Sequence, residues 1–135
     1  MELHTRFDMK EMVYQPNFLD KPEVLMHGQW KGFEFYIVSM GPHPCCYIVI
    51  PPGNPLYLVD YNKIDINVHW GITFGERNKF FDDKWCIGWD YAHCDDWAWY
   101  YPLGRKWTTA ELFNEVVDAI EQLNSGEVYK KLLNK

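Results

Sequence analysis

Residues 33–50 read FEFYIVSMGPHPCCYIVI, and this stretch indicates how the chain folds. Residues 33–40 and 45–50 are rich in aromatic and β-branched side chains, which favour β-strands. The segment between them, Gly41-Pro42-His43-Pro44, is a typical turn sequence. The stretch therefore predicts a β-hairpin.

Two later segments alternate apolar and polar residues with the period of a strand. In residues 66–74 (INVHWGITF) one face is apolar, whereas His69 falls on the other face. The apolar face consists of Ile66, Val68, Trp70, Ile72 and Phe74. Residues 85–91 (WCIGWDY) alternate in the same way and place Asp90 on their polar face. We predict a strand over each segment.

One long helix is predicted over residues 108–123. It begins with a capping box, in which the Thr108 hydroxyl and the Glu111 carboxylate bond to each other's backbone N–H groups. An apolar stripe follows at helical spacing and requires a surface to pack against; it consists of Leu112, Val116, Ile120 and Leu123. The sequence Asn124-Ser125-Gly126 ends the helix, and residues 127–133 predict a further short helical segment.

The order of these elements predicts an α+β fold, with a small, mostly antiparallel sheet and a C-terminal helix packed on one face. A chain of 135 residues has the length of one domain. Residues 1–29 show no clear period and are interrupted by Pro16 and Pro22. We therefore predict an N-terminal extension over 1–29 and a single domain over 30–135, with order beginning at Trp30.

Charge and composition exclude several classes of partner. The net charge is −6 and the lysines and arginines are scattered, so no direct nucleic-acid partner is expected. No apolar run approaches the ~20 residues that span a bilayer, and the N-terminus lacks a signal-like stretch. We expect no membrane partner and a cytoplasmic location. Because no CxxC pair occurs, Cys45, Cys46, Cys86 and Cys94 predict free thiols.

A cluster of histidines and aspartates is predicted where two of the strands meet. If segments 66–74 and 85–91 pair, the polar faces that carry His69 and Asp90 can coincide. His93, Asp95 and Asp96 follow at the end of the second strand, where functional groups often stand on a rigid scaffold. Such a set could bind a divalent metal, with His69, Asp90 and His93 as the candidate ligands, or act as an acid–base pair. The alternative is that these side chains make only structural hydrogen bonds, and no other cofactor is predicted.

Two glycines and one acidic aromatic segment complete the candidate features. Gly71 and Gly88 share the predicted polar faces and leave space there for a ligand or another backbone. Between residues 82 and 96 five aspartates stand against one lysine: Asp82, Asp83, Asp90, Asp95 and Asp96. Trp97, Trp99 and Tyr100 follow in an irregular segment. Together with Asp82 and Asp83, these three aromatic residues predict a surface that binds a basic protein partner. The alternative is a solvated acidic loop that covers aromatic residues of the core.

The ordered series of motifs resembles a group of uncharacterised small proteins from phages, prophages and other mobile elements, mostly of Firmicutes. The series runs from Trp30-Lys31-Gly32-Phe33 through the VHWGITF segment to Ile87-Gly88-Trp89-Asp90-Tyr91-Ala92-His93. It is similar to their HGGITY-like and IGFDxAHxGD-like segments. The chain departs at Trp70 and Asp95, which stand where glycines are usual. By its place in the alternation, Trp70 is expected to fill the core.

The resemblance implies a setting, that of accessory factors that interfere with host defence. We predict a non-enzymatic accessory protein that binds and inhibits a host protein, with an anti-CRISPR inhibitor as the most concrete form. One alternative is a small metal-dependent hydrolase that uses His69, Asp90, His93 and Asp95 or Asp96. A second alternative is a sponge that binds a nucleotide signal.

Overall fold

The computed structural model describes residues 9–133 and contains a five-stranded antiparallel sheet with a helix packed on one face. The strands are β1 (Glu23–Trp30), β2 (Phe33–Ser39), β3 (Pro44–Val49), β4 (Phe74–Asn78) and β5 (Lys84–Asp90). Two helices follow, α1 (Thr109–Ser125) and α2 (Glu127–Leu133). The order in the sheet is β1-β2-β3-β5-β4. The predicted α+β class, hairpin and C-terminal helices are confirmed.

The first strand lies in a region for which no element was predicted. β1 pairs antiparallel with β2 from Glu23↔Ser39 to Trp30↔Phe33 and forms an edge of the sheet. Its pattern is broken by a register shift between Val24 and Met26, which hides the two-residue period in the sequence. The prediction that order begins at Trp30 is wrong. The first eight residues of the predicted extension lie outside the described residues.

The main core lies between the sheet and α1. The helix begins with the predicted capping box and ends at Gly126, whose positive φ of 90° is the left-handed conformation that glycine takes without steric cost. Its predicted stripe is buried, with Leu112, Val116 and Ile120 fully covered. Ile87, Trp89 and Tyr91 meet the helix side from β5 and the residue after it. This core positions the end of β5.

The predicted strand over residues 66–74 is wrong except at Phe74, where β4 begins. Residues 67–69 instead run beside α1 and bond to its side chains. Asn67 N donates to Gln122 Oε1 at 2.8 Å, Gln122 Nε2 donates to Asn67 O at 2.9 Å, and His69 N donates to Glu115 Oε2 at 3.2 Å. Ile66 and Val68 are nevertheless buried. The alternation therefore reflects an extended segment with one buried face. Its backbone groups form hydrogen bonds with side chains of α1 rather than with another strand.

The other face of the sheet carries a smaller aromatic cluster and one polar hub. Phe81, from the β4–β5 turn, stacks on Tyr36 at 3.9 Å, and His27 stacks on the other side of Tyr36 at 4.0 Å. Glu34 accepts hydrogen bonds from His27 (2.7 Å), Tyr36 (3.1 Å) and Lys84 (3.1 Å). Burial raises the pKa of the Glu34 carboxyl, but the bonds from His27 and Lys84 outweigh it and leave that pKa below its ordinary value.

Within the described residues, no helix is both long and apolar enough to cross a membrane.

Candidate functional site

The end of β5 brings together the histidines and aspartates that the sequence singled out. Asp90 is the last residue of the strand, and His93 and Asp96 follow in the loop over residues 91–107. His69 arrives from the segment that runs beside α1. The ring centroids of His69 and His93 are 6.0 Å apart. We call His69, Asp90, His93 and Asp96 the His–Asp cluster.

His69 and Asp96 form the buried half of the His–Asp cluster. His69 Nε2 lies 2.9 Å and 3.1 Å from the two Asp96 carboxylate oxygens. Asp96 also accepts from Trp107 Nε1 at 3.0 Å and from the backbone N–H of His93 at 2.9 Å, and its side chain is 3% exposed. Because a carboxylate can only accept hydrogen bonds, His69 carries its proton on Nε2. Nδ1 is then the ring nitrogen that can accept a second proton.

The His69 ring is held by aromatic neighbours over a buried polar layer. It stacks on Tyr91 with centroids 4.7 Å apart and meets the edge of Trp107 at 5.0 Å. The Tyr91 hydroxyl donates to Glu115, and Trp89 Nε1 donates to the Tyr91 hydroxyl at 2.9 Å. Burial raises the pKa of Tyr91, and the Glu115 carboxylate raises it further, so the hydroxyl stays protonated. The imidazole of His69 therefore has one fixed orientation.

His93 and Asp90 form the more open half of the His–Asp cluster. His93 Nε2 lies 3.0 Å from Asp90 Oδ1, the distance of an ion pair. The angle does not suit a hydrogen bond, and among the described residues this buried nitrogen has no hydrogen-bond partner. Asp90 Oδ2 accepts from Thr73 Oγ1 at 3.0 Å. Trp70 covers the His93 ring at 5.2 Å.

Several details differ from the predicted arrangement. His69 pairs with Asp96 rather than meeting Asp90 across a shared sheet face. Trp70, expected in the core, is 61% exposed with a φ of 60°. The space beside Gly88 is taken by the protein itself, since a Cβ there would lie 2.6 Å from the Tyr47 ring. At Gly71, which has a φ of 81° in a turn, the predicted space is present, since an added Cβ would meet nothing within 4 Å.

The described residues contain no group of three or more His, Cys, Asp or Glu side chains that could hold a metal ion. Asp95 explains part of this result. Its exposed side chain lies outside the hydrogen bonds that join His69, Asp96 and Trp107. Two separate His–Asp pairs remain: His69–Asp96, whose hydrogen bonds orient the imidazole, and His93–Asp90, which lies at ion-pair distance.

A cavity of about 520 Å³ adjoins the His–Asp cluster. One wall is the loop from Ala92 to Tyr101, and the facing wall contains Phe18 and His43. The rings that line it are Phe18, Trp97, Trp99, Tyr100 and Tyr101. No described residue that lines the cavity is Lys or Arg. An aromatic cavity of this size is typical of a binding site.

The rim of this cavity is strongly apolar. Trp99 is 63% exposed, Tyr100 76% and Phe18 68%, while Leu103, which follows in the same loop, is 88% exposed. Trp97 is partly covered, because Tyr14 meets its ring edge-on at 5.3 Å. We call residues 97–103 the aromatic loop.

Comparison of the chain with protein-family models, with curated proteins and with solved structures finds no match. The proposed function therefore rests on the geometry of the cavity and of the His–Asp cluster.

The predicted partner-binding residues lie in two places. Trp97, Trp99 and Tyr100 line the cavity. Asp82 and Asp83 belong to the β4–β5 turn at the beginning of β5, whereas the cavity lies past its end. A strand of this length separates the two places by about 20 Å.

Sequence reasoning missed four residues of the site. Phe18 lies in the region without a predicted element, and His43 was assigned only to a turn. Trp107 directly precedes the helix cap and gives no periodic signal. Glu115 could have been found, because an acid directly before Val116, at the edge of the apolar stripe, indicates a buried polar contact.

The four thiols are free, as predicted, and they differ in exposure. Cys45, Cys46 and Cys86 are buried, whereas Cys94 is exposed and lines the cavity. Burial, together with the Asp90 carboxylate, raises the pKa of Cys45 to about 12. Burial also raises the pKa of Cys86 to about 12.

Proposed function

We propose that this protein acts by binding another protein, and that the aromatic loop and Phe18 form the contact surface. The observation that carries this proposal is the exposure of Trp99, Tyr100 and Phe18 around one cavity, with Leu103 exposed in the same loop. Single exposed apolar side chains need no explanation, but a contiguous group marks an interaction site. Trp and Tyr are also the residues that dominate the energetics of protein interfaces.

Charge favours a basic partner surface. The chain carries a net charge of −6, and the described cavity lining includes Asp95 and Asp96 but neither Lys nor Arg. A phosphate-bearing ligand would meet no cation there, which disfavours the nucleotide sponge. The resemblance to mobile-element proteins supports a host protein of a nucleic-acid-handling defence complex as the target, because such proteins present basic surfaces. Inhibition in the host cytoplasm, of the anti-CRISPR type, is then the proposed outcome.

The His–Asp cluster has a structural role in this proposal. Asp96 accepts from His69, Trp107 and the His93 backbone, so it ties the beginning of the loop to two other parts of the chain. The Arg105 backbone N–H donates to Asp95 O at 2.7 Å and closes the far end of the loop. A loop held at both ends loses little conformational entropy on binding, which increases affinity.

The direct test is affinity capture from a host lysate, followed by binding kinetics with each purified captured protein. We expect Trp99→Ala or Tyr100→Ala to speed dissociation about 30-fold, since a central anchor contributes ~2 kcal/mol or more. Asp95→Asn should instead slow association, because a rim charge acts mainly on the on-rate.

Two variants provide matched controls for this experiment. The first is Leu58→Ala, which removes a comparably exposed apolar side chain (56%) from a different loop. The second is Asp82→Asn, which changes the net charge as Asp95→Asn does. Both should leave capture and kinetics unchanged. A captured protein that binds Trp99→Ala, Tyr100→Ala and Asp95→Asn like the wild type would show that the interface lies elsewhere.

A second candidate function rests on the two His–Asp pairs. Two imidazoles with centroids 6.0 Å apart, each beside a carboxylate, can act as a general base and a general acid without a metal. This candidate predicts turnover of a carboxylic ester in the presence of EDTA, abolished by both His69→Gln and His93→Gln. Trp99→Ala should leave that turnover intact. Absence of turnover across a panel of such esters would contradict it.

A further inference from the structure

The cavity beside the aromatic loop combines several rings with one acid, Asp95, that no described residue engages. Among its lining residues, Trp99, Tyr100, Tyr101 and Phe18 contribute exposed ring surface. Asp95 is exposed, and within the described part of the chain no hydrogen bond or ion pair engages its carboxylate. The other lining acid, Asp96, is already held by His69 and Trp107.

We infer that this cavity is a receptor for an arginine side chain, presented on a short basic segment of the partner. The inference rests on the proposed function, because it names the part of the partner that the contact surface recognises. It also commits to one chemical group, the guanidinium ion, and to one acid on this protein, Asp95.

The physical basis is the attraction between a cation and an aromatic face, combined with a carboxylate. A cation within about 6 Å of a Trp or Tyr ring centroid gains roughly 0.5–2 kcal/mol. Arginine fits better than lysine, since its planar guanidinium stacks on rings and can donate two hydrogen bonds to one carboxylate. No described residue that lines the cavity is Lys or Arg, so no lining Lys or Arg would repel such a guest.

The chain already uses this interaction on the neighbouring rings. The Arg105 guanidinium lies 3.7 Å from the centroid of the Trp107 ring, and Lys106 Nζ lies 5.2 Å from that of Trp97. Among the described residues no cation covers Trp99, Tyr100 or Tyr101. Of the rings that line the cavity, Trp97 already has Lys106 near its face, whereas Trp99, Tyr100 and Tyr101 remain for an external cation.

The volume sets the size of the guest. About 520 Å³ lies within the usual range for a bound small ligand and exceeds the needs of a single side chain. The remaining space suits the backbone on either side of the arginine. His43 on one wall of the cavity and the exposed thiol of Cys94 on the facing wall offer polar contacts to that backbone.

The experiment compares three peptides by NMR titration of the tryptophan indole N–H signals. They are acetyl-Gly-Arg-Gly amide, its citrulline analogue and its lysine analogue. Citrulline keeps the shape of arginine without the charge. We expect the arginine peptide to bind at least tenfold more tightly than the citrulline peptide and about threefold more tightly than the lysine peptide. Equal affinity for the arginine and citrulline peptides would overturn the inference.

Two variants assign the effect to the cavity. Asp95→Asn should remove most of the preference for arginine over citrulline, whereas Asp82→Asn, with the same change in net charge, should preserve it. Equal loss in both variants would mean that the peptide responds only to overall charge, and the inference would fail.

The outcome separates this inference from the proposed function. If a captured partner depends on Trp99 but arginine and citrulline peptides bind equally, the protein-binding function stands and the arginine site is wrong. If the arginine peptide binds selectively and no captured protein depends on the aromatic loop, the arginine site stands and the protein-binding function is wrong.

Discussion

Asp95 and Trp70 both have a left-handed backbone, with φ of 73° and 60°. Such a backbone costs a residue with a Cβ atom free energy that glycine avoids. This chain nevertheless has a tryptophan that covers His93 at position 70. At position 95 it has a carboxylate at the cavity that no described residue engages. Strain retained at a candidate site is consistent with a functional role for these side chains.

We expect Asp95→Gly to raise the free energy of unfolding by about 0.5–1 kcal/mol, because it removes the left-handed strain. The same variant should lose the preference for arginine over citrulline peptides. Urea unfolding monitored by tryptophan fluorescence measures the first effect, and the peptide titration measures the second.

Asp82→Gly is the matched control, because Asp82 also has a positive φ of 56° but lies at the other end of β5. It should gain similar stability and keep the peptide preference. Loss of stability in Asp95→Gly would show that the aspartate itself stabilises the loop, contrary to our interpretation.

At the scale of elements, the aromatic loop depends on a close backbone approach at Gly104. A Cβ added there would clash with the backbone of Asp96 and Trp97, with Trp97 N only 2.7 Å away. Around this point Trp97 N donates to Arg105 O at 2.9 Å and Gly104 N donates to Tyr101 O at 3.1 Å. The loop closes on itself only if residue 104 has no side chain.

Gly104→Ala is therefore expected to weaken arginine-peptide binding about tenfold while lowering stability by only about 1–3 kcal/mol. The indole N–H signal of Trp107 should also shift, because its bond to Asp96 is disturbed. Gly53→Ala is the control, since an added Cβ there meets nothing within 4 Å. Unchanged peptide binding in Gly104→Ala would contradict the proposed dependence on loop shape.

At the scale of the whole molecule, Glu34 joins three strands of the sheet. From β2 it accepts hydrogen bonds from His27 on β1 and from Lys84 on β5. Its pKa lies below the ordinary value of 4.5, so near that pH the unfolded chain binds more protons than the folded one. For Lys84, burial lowers the pKa, but the Glu34 carboxylate outweighs it and leaves the pKa above 10.5.

The sign of the pH dependence follows from these two shifts. The stabilisation from Glu34 is present above pH 4.5 and is lost as the pH falls through its lower folded-state pKa. The stabilisation from Lys84 is present below pH 10.5 and is lost as the pH rises through its higher folded-state pKa. At pH 7 we expect Glu34→Gln to cost about 1 kcal/mol, as for a partly exposed ion pair with favourable geometry.

Urea unfolding of wild type and Glu34→Gln between pH 3 and pH 8 measures this effect, and their difference should shrink as the pH falls below 4.5. Glu121→Gln removes the exposed pair with Lys31 and should cost only a few tenths of a kcal/mol. A Glu34→Gln cost that does not change with pH would show that packing, rather than charge, accounts for it.

The helix and three strands follow from local rules that act within one segment. The capping box at Thr108 and the apolar stripe through Leu112 and Val116 predicted α1, and the predicted ends of β2, β3 and β5 are within one residue of the observed ones. These patterns are reliable because burial on one face repeats with the period of the backbone. β1 escaped prediction because its register shift breaks that period.

All four residues of the His–Asp cluster were named as candidates from the sequence. Which histidine pairs with which aspartate could not be predicted, because the pairing depends on the surface against which an extended segment packs. Residues 66–69 lie on α1 rather than beside β5, so His69 reaches Asp96 instead of Asp90. Alternation determines which side chains are buried, but the partners of the backbone N–H and C=O groups are decided only when helix and sheet pack together. The cavity likewise depends on the tertiary structure, because Phe18, which is distant in sequence from the aromatic loop, lines it together with that loop.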